Sequence, residues 1–410
     1  MNYIRILKNK VFRQLFTSII LTNLANSISS ISLIWIAYNK FNSPVVIAIV
    51  LGALQLPNII LGPFLGGLLD KFNKIKLMTF ANIVNASVFL FLIFNPLASR
   101  IDISVFILLL VLSGSMKPLL VGGDYMVIQD IFESNGERMI ANALVIISFD
   151  TTYIFGSLLS GLILALGYGV KVYALVAILY IFIAVILFRI NVIFTPKHIS
   201  YDKNKDVSYV NNTKSALKTI FKNKQLIAVL SMDFFWNMLL WAGLTVLLPV
   251  LVKTVLNSGS EQYGLLESMT SIGIIIGSFF VGKIKLKEDW LIKGVVITIG
   301  IHGLLFSFIG LIKNIWLICI LLILIGFIVS PALIYKTTFY QKAFDEESKG
   351  ALFTIAGSMI SSSYPLGIMV TSILTTFRNG IAIPYVFLFY GLIIVILSVI
   401  VYRNVLLKSK

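Results

Sequence analysis

The stretch GGLLDKFNKIK at residues 66–76 places one acid and three lysines between two long apolar runs. A plain polar turn would need neither the acid, Asp70, nor the two glycines that precede it. Small residues such as Gly66 and Gly67 let membrane helices approach each other closely. Asp70 ends the preceding helix, where the helix dipole disfavours a negative charge, so this acid needs a partner. The stretch therefore indicates a turn between two closely packed membrane helices, with an acid that is bound to a partner.

The composition of the whole chain supports a membrane setting. Of the 410 residues, 58% are hydrophobic and 12% are charged, and mean hydropathy is +0.98. These values exclude an ordinary soluble globule, and the continuous apolar runs do not match the alternating pattern of a β-barrel. One helix needs roughly 20 apolar residues to cross the hydrocarbon. We therefore predict an all-α integral membrane protein with twelve helices, at residues 14–38, 45–69, 77–95, 103–128, 139–166, 171–194, 225–252, 262–282, 291–311, 315–337, 350–376 and 383–402.

The longest polar segment divides the predicted helices into two groups of six. It predicts a first six-helix bundle at 1–194, a cytoplasmic linker at 195–224 and a second six-helix bundle at 225–410. The two halves match at three places, with offsets of 214, 215 and 212 residues. Such pseudo-repeats are typical of transporters built from two parallel six-helix units. The matching pairs are LKNK at 7–10 with FKNK at 221–224, GPFLGG at 62–67 with GSFFVG at 277–282, and QDIFE at 129–133 with QKAFD at 341–345.

The distribution of positive charge predicts the orientation. Of the 33 Lys and Arg residues, 26 fall on the side that holds both predicted termini and six fall on the opposite side. The positive-inside rule then places both termini in the cytoplasm, and we predict a multi-pass protein of the plasma membrane. The same rule explains the net charge of +16, so we expect the lipid bilayer, and no nucleic acid, as a partner.

The sequence shows no pattern of catalytic chemistry. A membrane enzyme would need clustered His, Asp or Glu, or a nucleophile with its base. The two histidines, His198 and His302, are far apart, and the single cysteine, Cys319, lies in an apolar run. A Walker sequence that would couple the chain to ATP is missing as well. We therefore expect no enzyme activity, no metal and no cofactor, and we interpret His302 as a hydrogen-bonded structural histidine.

The opening stretch resembles the signature that the major facilitator superfamily carries between helices 2 and 3, G-x-x-x-D-[RK]-x-G-[RK]-x-[RK]. The one departure is Asn73, which stands where the signature has glycine. Since asparagine tolerates the left-handed conformation, we expect it to keep the turn. The resemblance implies a gating role and the twelve-helix fold of that superfamily. The matching residues are Gly66, Asp70, Lys71, Asn73, Lys74 and Lys76.

A second set of motifs resembles the macrolide-efflux and siderophore-exporter branch of that superfamily. It runs from Gly114 and Pro118 through QDIF at 129–132 to ANAL at 141–144. Predicted helix 5 then continues as GSLLSG at 156–161, which resembles the exporter motif G-P-x-x-G-G. Gly156 and Gly161 match this motif, Ser157 replaces its proline and Ser160 replaces a glycine.

The resemblance implies a secondary active transporter. Its expected activity is proton-coupled efflux of a small amphipathic molecule, a macrolide-like drug or a siderophore-like metabolite, by alternating access, with protons as the coupling ion and a monomer as the working form. Uptake or facilitated diffusion, a lipid-like substrate, and a polytopic membrane protein that does not transport are the alternatives.

Charged residues inside predicted spans are candidates for function, because each costs about 2.5–3.5 kcal/mol on insertion scales. Lys117 and Asp124 are seven residues apart and share one face of predicted helix 4. We hypothesise that Lys117 pairs with Asp150 on helix 5, either for transport or only to lock the two helices together. Asp150 or Asp233, the latter interpreted as a lone carboxylate, is the candidate for proton coupling. Glu267 fits an interfacial or packing role better than a proton role.

Two groups of polar and aromatic residues are candidates for a substrate cavity. Predicted helix 1 carries Asn23, Asn26 and Ser30 at three- and four-residue spacing. This stripe is either a cavity wall or a set of hydrogen bonds between helices. The resemblance implies that helices 1, 4, 7 and 10 line a central path, which adds Trp236, Asn237 and Trp241 of helix 7.

The resemblance also implies a partner for Asp70, the N-terminal end of predicted helix 11 near Gly350. The lysines of the opening stretch would then face acids that precede that helix and latch the two halves on the inside. The alternative is a solvated loop that obeys the positive-inside rule, which explains the lysines but not Asp70. The lysines are Lys71, Lys74 and Lys76, and the acids are Asp345, Glu346 and Glu347.

Overall fold

The computed structural model describes residues 3–95, 97–132, 134–194, 224–281, 291–342, 349–376 and 383–403. Within these ranges the chain is helical and contains no strand. A short helical segment, Tyr3–Lys8, precedes the long helices. The long helices are α1 (Lys10–Phe41), α2 (Pro44–Lys71), α3 (Lys74–Ile93), α4 (Arg100–Ile131), α5 (Asn135–Ala165), α6 (Val172–Ile193), α7 (Lys224–Thr254), α8 (Ser260–Val281), α9 (Leu291–Ile309), α10 (Ile315–Lys342), α11 (Lys349–Thr376) and α12 (Ile383–Val401).

The predicted twelve-helix, all-α membrane fold is confirmed. Eleven of the twelve helices are long and apolar enough to cross a membrane, and α11 spans 28 residues. Several helices are longer than their predicted spans because capping residues extend them. The side chain of Asn9 accepts hydrogen bonds from the backbone N–H groups of Val11 and Phe12 at 3.0 and 3.1 Å, so α1 begins before its apolar run.

The chain divides into two compact units. Unit 1 comprises Met1–Asn42 and Ile49–Tyr201, and unit 2 comprises Ser43–Ala48 and Asp202–Lys410. The first turn of α2 is thus grouped with unit 2. The predicted linker lies outside the described residues except for Lys224, so its boundaries stay a prediction.

Each unit is held together by pairs of closely packed helices. In unit 1, α3 packs on α6, and α1 packs on α5 and α6. In unit 2, α8 packs on α10, and α9 packs on α12. The last pair crosses at Gly303 and Gly391, where a Cβ atom on either residue would collide with the backbone of the other. Small residues at such crossings permit close van der Waals packing between membrane helices.

Helix α7 is interrupted by a π turn at Asn237–Trp241. Gly367 of α11 packs against this turn, beside the backbone carbonyl of Met238. A π turn fits more residues into one turn than an α-helix does and is frequent at functional sites. It therefore changes which side chains of α7 share a face.

Candidate functional site

The turn between α2 and α3 is built by Asn73, at the position where the superfamily signature has glycine. Asn73 has φ −62° and ψ 110°, so the expected left-handed conformation is wrong. Its side-chain oxygen accepts a hydrogen bond from the backbone N–H of Lys76 at 3.1 Å and so caps α3. Its amide nitrogen donates to the side-chain oxygen of Asn191 in α6 at 2.9 Å. The side-chain amide of Asn73 therefore stabilises the turn in place of the signature's glycine, because it caps α3 and binds α6.

Lys74 of the same turn is buried and forms an ion pair within unit 1. Its Nζ atom lies 2.7 Å from Oδ2 of Asp130 in α4, and the two side chains are 3% and 8% exposed. Asp130 thus holds Lys74 within unit 1, and whether Lys74 also faces the acids near helix 11 stays a prediction. The side chain of Asp70 and residues 343–348 lie outside the described parts of the chain, so the role of Asp70 in a latch stays a prediction.

A cavity of about 610 Å³ opens in unit 1 and collects most of the polar candidates of that half. Six helices, α1 to α6, line it, and three of them, α1, α4 and α5, carry residues singled out from the sequence. Binding cavities for small molecules are typically about 300–1,000 Å³. The candidates that line it are Asn23, Asn26, Ser30, Lys117, Asp124 and Asp150.

The charged groups of this cavity do not pair with one another. Lys117 is exposed, and Asp124 and Asp150 are half-buried. Within the described residues, the ion pairs of unit 1 are Arg5–Glu137 and Lys74–Asp130. The hypothesised pair between Lys117 and Asp150 is therefore wrong, and the three charges are left for groups that enter the cavity.

Aromatic residues complete the cavity beside Asp150. Phe149 and Tyr153 flank it on α5 and both line the cavity. Their rings stack with centroids 6.4 Å apart and an interplanar angle of 19°. Neither ring was singled out from the sequence, because in an apolar helix a ring that faces a cavity has the same spacing as one that faces lipid. The result is a cavity with both polar and apolar walls.

The polar stripe of α1 lies at the cavity and also binds neighbouring helices, and its contact with a substrate stays a prediction. Asn23 and Asn26 line the cavity, yet both also bind neighbouring helices. The amide nitrogen of Asn23 donates to the hydroxyl of Ser148 in α5 at 3.5 Å. The hydroxyl of Tyr180 in α6 donates to the side-chain oxygen of Asn26 at 2.8 Å. Hydrogen bonds between helices thus fix the orientation of amides that also face the cavity.

The exporter-like motif of α5 is a packing surface against α1. A Cβ atom on Gly156 would collide with the side chain of Ser27, so the helices need a glycine there. Ser160, which replaces a glycine of the motif, is fully buried and donates to the backbone oxygen of Ile28 at 3.3 Å. Gly161 is buried as well. Ser160 is thus accommodated in the interface between α1 and α5, and Ser157 is buried with its hydroxyl donating to the backbone oxygen of Ile154.

In unit 2, Asp233 is paired, so its interpretation as a lone carboxylate is wrong. The Nζ atom of Lys336 in α10 lies 2.9 Å from both carboxylate oxygens of Asp233 in α7. The carboxylate side chain is 1% exposed, and the lysine side chain is 14% exposed. Lys336 was missed because we counted it with the cytoplasmic loop residues. Lys336 lies inside the predicted span 315–337, and a charge within a span was the signal that could have identified it.

The same region holds a hydrogen-bonded aromatic cluster. Nε1 of Trp236 donates to Nδ1 of His302 in α9 at 2.9 Å, which confirms the hydrogen-bonded histidine. The rings of Trp236 and Trp241 both pack on His302, with centroids 6.0 and 5.9 Å away. Trp236 is fully buried, and the amide of Asn237 donates to the backbone oxygen of Asp233 at 3.4 Å. Whether the helix 7 candidates line a substrate path stays a prediction.

Glu267 of α8 lies beside the hydroxyl group of Tyr263, one turn earlier on the same helix. The carboxylate also interacts with Tyr364 of α11. The hydroxyl of Tyr364 lies 2.7 Å from that of Thr245 in α7. This arrangement links three helices of unit 2 and is consistent with the packing role that we expected for Glu267.

Metal binding finds no support in the described residues, where no group of three or more His, Cys, Asp or Glu could hold an ion. In the described residues, charged side chains instead form three ion pairs between helical segments and one group around a cavity. A cavity of this kind can bind a small molecule with polar and apolar parts.

Comparisons with known proteins agree on the family and the fold. The model of the Major Facilitator Superfamily matches residues 15–363. The chain is 25% identical to the staphyloferrin A transporter of Staphylococcus aureus, over 87% of this chain and 88% of that protein. It is 20% identical to macrolide efflux protein A of Streptococcus pyogenes, over 92% and 91% of the two chains. A solved structure, a bacterial homolog of the human lysosomal transporter Spinster, superposes with a TM-score of 0.71 at 14% identity, over 98% and 97% of the chains. The chain belongs to the Major Facilitator Superfamily, and it is a multi-pass membrane transporter with the twelve-helix fold of that family.

Proposed function

We propose that this transporter exports a small amphipathic molecule across the plasma membrane in exchange for protons, by alternating access. The observation that carries the proposal is the cavity of unit 1, which combines amides, aromatic rings and charges that form no ion pair in the described residues. In this proposal the two six-helix bundles rock about the bound molecule, both termini lie in the cytoplasm and the protein works as a monomer.

The walls of the cavity support an amphipathic substrate. Asn23 and Asn26 offer amides to hydroxyl or carbonyl groups, and Phe149 and Tyr153 offer ring faces to an apolar part. A volume of about 610 Å³ holds a drug-sized molecule. The relatives named for staphyloferrin A and for macrolides handle molecules of different chemistry, and both remain candidate substrate classes.

The charge pattern supports Asp150 as the proton-coupling residue. A carboxylate that lines a cavity without an ion pair can lose its charge when it takes up a proton. Asp233 differs, because Lys336 binds both of its oxygens and stabilises the charged form. We therefore assign proton coupling to Asp150, with Asp124 in the same cavity as the second candidate.

The proposal is tested by transport in proteoliposomes with an imposed pH gradient. Macrolides and iron-free siderophores are offered as substrates, and accumulation is compared with and without the gradient. We expect the gradient to drive transport of at least one class, and Asp150→Asn to abolish the gradient dependence. Glu261→Gln, an exposed residue away from the cavity, is the control that should keep it.

The alternatives give different outcomes in this assay. Transport down a concentration gradient alone, with no response to pH, would indicate facilitated diffusion. Accumulation in the direction opposite to export would indicate uptake. Transfer of labelled lipid instead of the panel compounds would favour a lipid-like substrate, and no transport at all would contradict the proposal.

A further inference from the structure

The cavity of unit 1 presents both signs of charge to a bound molecule. Lys117 and Asp124 lie on the same face of α4, seven residues or about 10 Å of helix rise apart. Asp150 approaches from α5. In the described part of unit 1, neither carboxylate lies within the 4.0 Å of Lys117 Nζ that an ion pair requires. The gap between the lysine and the acids can therefore be filled by a bound group.

We propose that Lys117 sets the charge selectivity of this cavity, which recognises a zwitterionic head group, with Lys117 binding its anionic part and Asp150 its ammonium part. The inference rests on the proposed function and names the substrate class of the same cavity. It assigns to Lys117 a role in binding substrate rather than in joining α4 to α5.

The residues around Asp150 and around Lys117 differ, and each set suits the part of the head group that we assign to it. Asp150 lies between Phe149 and Tyr153 in the sequence of α5, and both rings line the cavity. Aromatic faces attract cations, and a carboxylate beside them strengthens the attraction. Aromatic rings and a carboxylate together form a typical site for a substituted ammonium group.

The Lys117 side of the cavity offers the ammonium group of Lys117 as its donor instead. Ser113, one turn earlier on α4, lines the cavity, but its hydroxyl already donates to Oδ1 of Asn85 in α3 at 2.8 Å. An ammonium group that is not engaged by an acid is a strong partner for a carboxylate or another anionic group. The amides of Asn23 and Asn26 lie on the remaining wall and can bind neutral polar groups.

Lys117 also determines what the cavity rejects. Without it, two carboxylates would favour any amphipathic cation. With Lys117 present, a ligand that carries only a positive charge is repelled by the lysine. A ligand that carries only a negative charge is repelled by the two carboxylates. Specificity arises from such repulsive contacts as much as from attractive ones.

The test is a binding experiment with three fluorescent probes that share one apolar group. The probes are Nε-dansyl-lysine, which is zwitterionic, dansylcadaverine, which is cationic, and dansylaminohexanoic acid, which is anionic. Purified full-length protein in nanodiscs is titrated at mildly alkaline pH, and the signal of empty nanodiscs is subtracted. We expect the wild type to bind dansyl-lysine about tenfold more tightly than either other probe, a difference of about 1.4 kcal/mol.

Variants assign the selectivity to individual residues. Lys117→Met should reverse the order so that dansylcadaverine binds most tightly, while Lys117→Arg should keep the wild-type order. Asp150→Asn should shift the preference toward dansylaminohexanoic acid. Lys171→Met removes an exposed lysine that does not line the cavity and should change nothing.

Three results would overturn the inference. The first is an equal affinity of the wild type for all three probes, and the second is no binding of dansyl-lysine to the folded wild type. The third is an unchanged order of probe affinities in Lys117→Met protein that elutes as a single folded species. Each leaves the proposed function standing if the pH gradient still drives transport in proteoliposomes. Loss of that transport with an intact probe order would instead contradict the proposed function alone.

Discussion

The Nζ atom of Lys336 lies 2.9 Å from each carboxylate oxygen of Asp233 and 5.4 Å from the ring centroid of Trp236. This contact joins α10 to α7 at a position where the carboxylate is 1% exposed. A buried ion pair contributes little net free energy, but the loss of one partner leaves an uncompensated charge. The pair therefore constrains which substitutions unit 2 can tolerate.

Lys336→Met should destabilise the protein strongly. It leaves Asp233 buried without its partner, at a cost of about 3–5 kcal/mol. Asp233→Asn combined with Lys336→Met removes both charges and should recover most of the stability. The measurement is thermal unfolding of the purified protein, followed by size-exclusion chromatography after heating. A single variant as stable as the wild type would show that the pair does not hold α7 against α10.

The ion pair between Lys74 and Asp130 gives a comparable prediction in unit 1. Lys74→Met should lower stability by about 3–5 kcal/mol, because Asp130 is 8% exposed and would lose its partner. Lys76→Met is the matched control, since Lys76 is an exposed lysine of the same turn. We expect the control to unfold at the wild-type temperature. An equal loss of stability in both variants would mean that the stability depends on the net positive charge of the turn and not on the ion pair.

Asn73→Gly should lower stability even though it restores the glycine of the superfamily signature. The substitution removes the bond to Asn191 and the side-chain cap of α3. Loss of one such bond costs about 0.5–1.5 kcal/mol. Unfolding is compared for Asn73→Gly, Asn191→Ala and the double variant. A double variant that loses the full sum of both single effects would show that the two amides act independently.

Trp236→Phe should destabilise the aromatic cluster through His302. The substitution keeps a ring but removes the N–H group that binds Nδ1 of His302, which is 2% exposed. An unsatisfied buried polar atom costs about 1–3 kcal/mol. His302→Phe in the same chain should recover part of the loss, as judged by thermal unfolding. A Trp236→Phe protein with wild-type stability and near-ultraviolet circular dichroism would contradict this account.

The latch hypothesis for Asp70 leads to a prediction about conformation. If Asp70 holds the inside of the transporter closed, Asp70→Asn should increase the labelling of single cysteines introduced along α11. The background for this experiment replaces the one native cysteine, Cys319, with alanine. Lys76→Met in that background tests the alternative of a solvated loop. Unchanged labelling in Asp70→Asn would count against the latch.

The fold was predictable because membrane helices are set by local properties of the chain. Apolar length and the distribution of lysine and arginine suffice to predict twelve helices and their order. The seven-residue spacing of Lys117 and Asp124 likewise predicts a shared face, and both residues line one cavity. Such inferences need only the geometry of a single helix.

The pairing of charges was not predictable, because it depends on the relative rotation and depth of helices that are distant in sequence. Lys117 and Asp150 each lie near the middle of consecutive helices, yet they form no ion pair in the described residues, while Asp233 pairs with Lys336, 103 residues away. Asn73 shows the same limit, since its role depends on Asn191 of α6. In each case the deciding contact lies on another helix.

The π turn of α7 changes how the two halves of the chain should be aligned. Residues five apart on an α-helix point about 140° away from each other, yet the rings of Trp236 and Trp241 lie 6.1 Å apart across this turn. The offset between the halves is 214 residues before α7 and 215 at the end of α8. A helix can absorb a single inserted residue as a π turn, so an alignment of the halves should open its one-residue gap within 237–241 and not in the loop that follows.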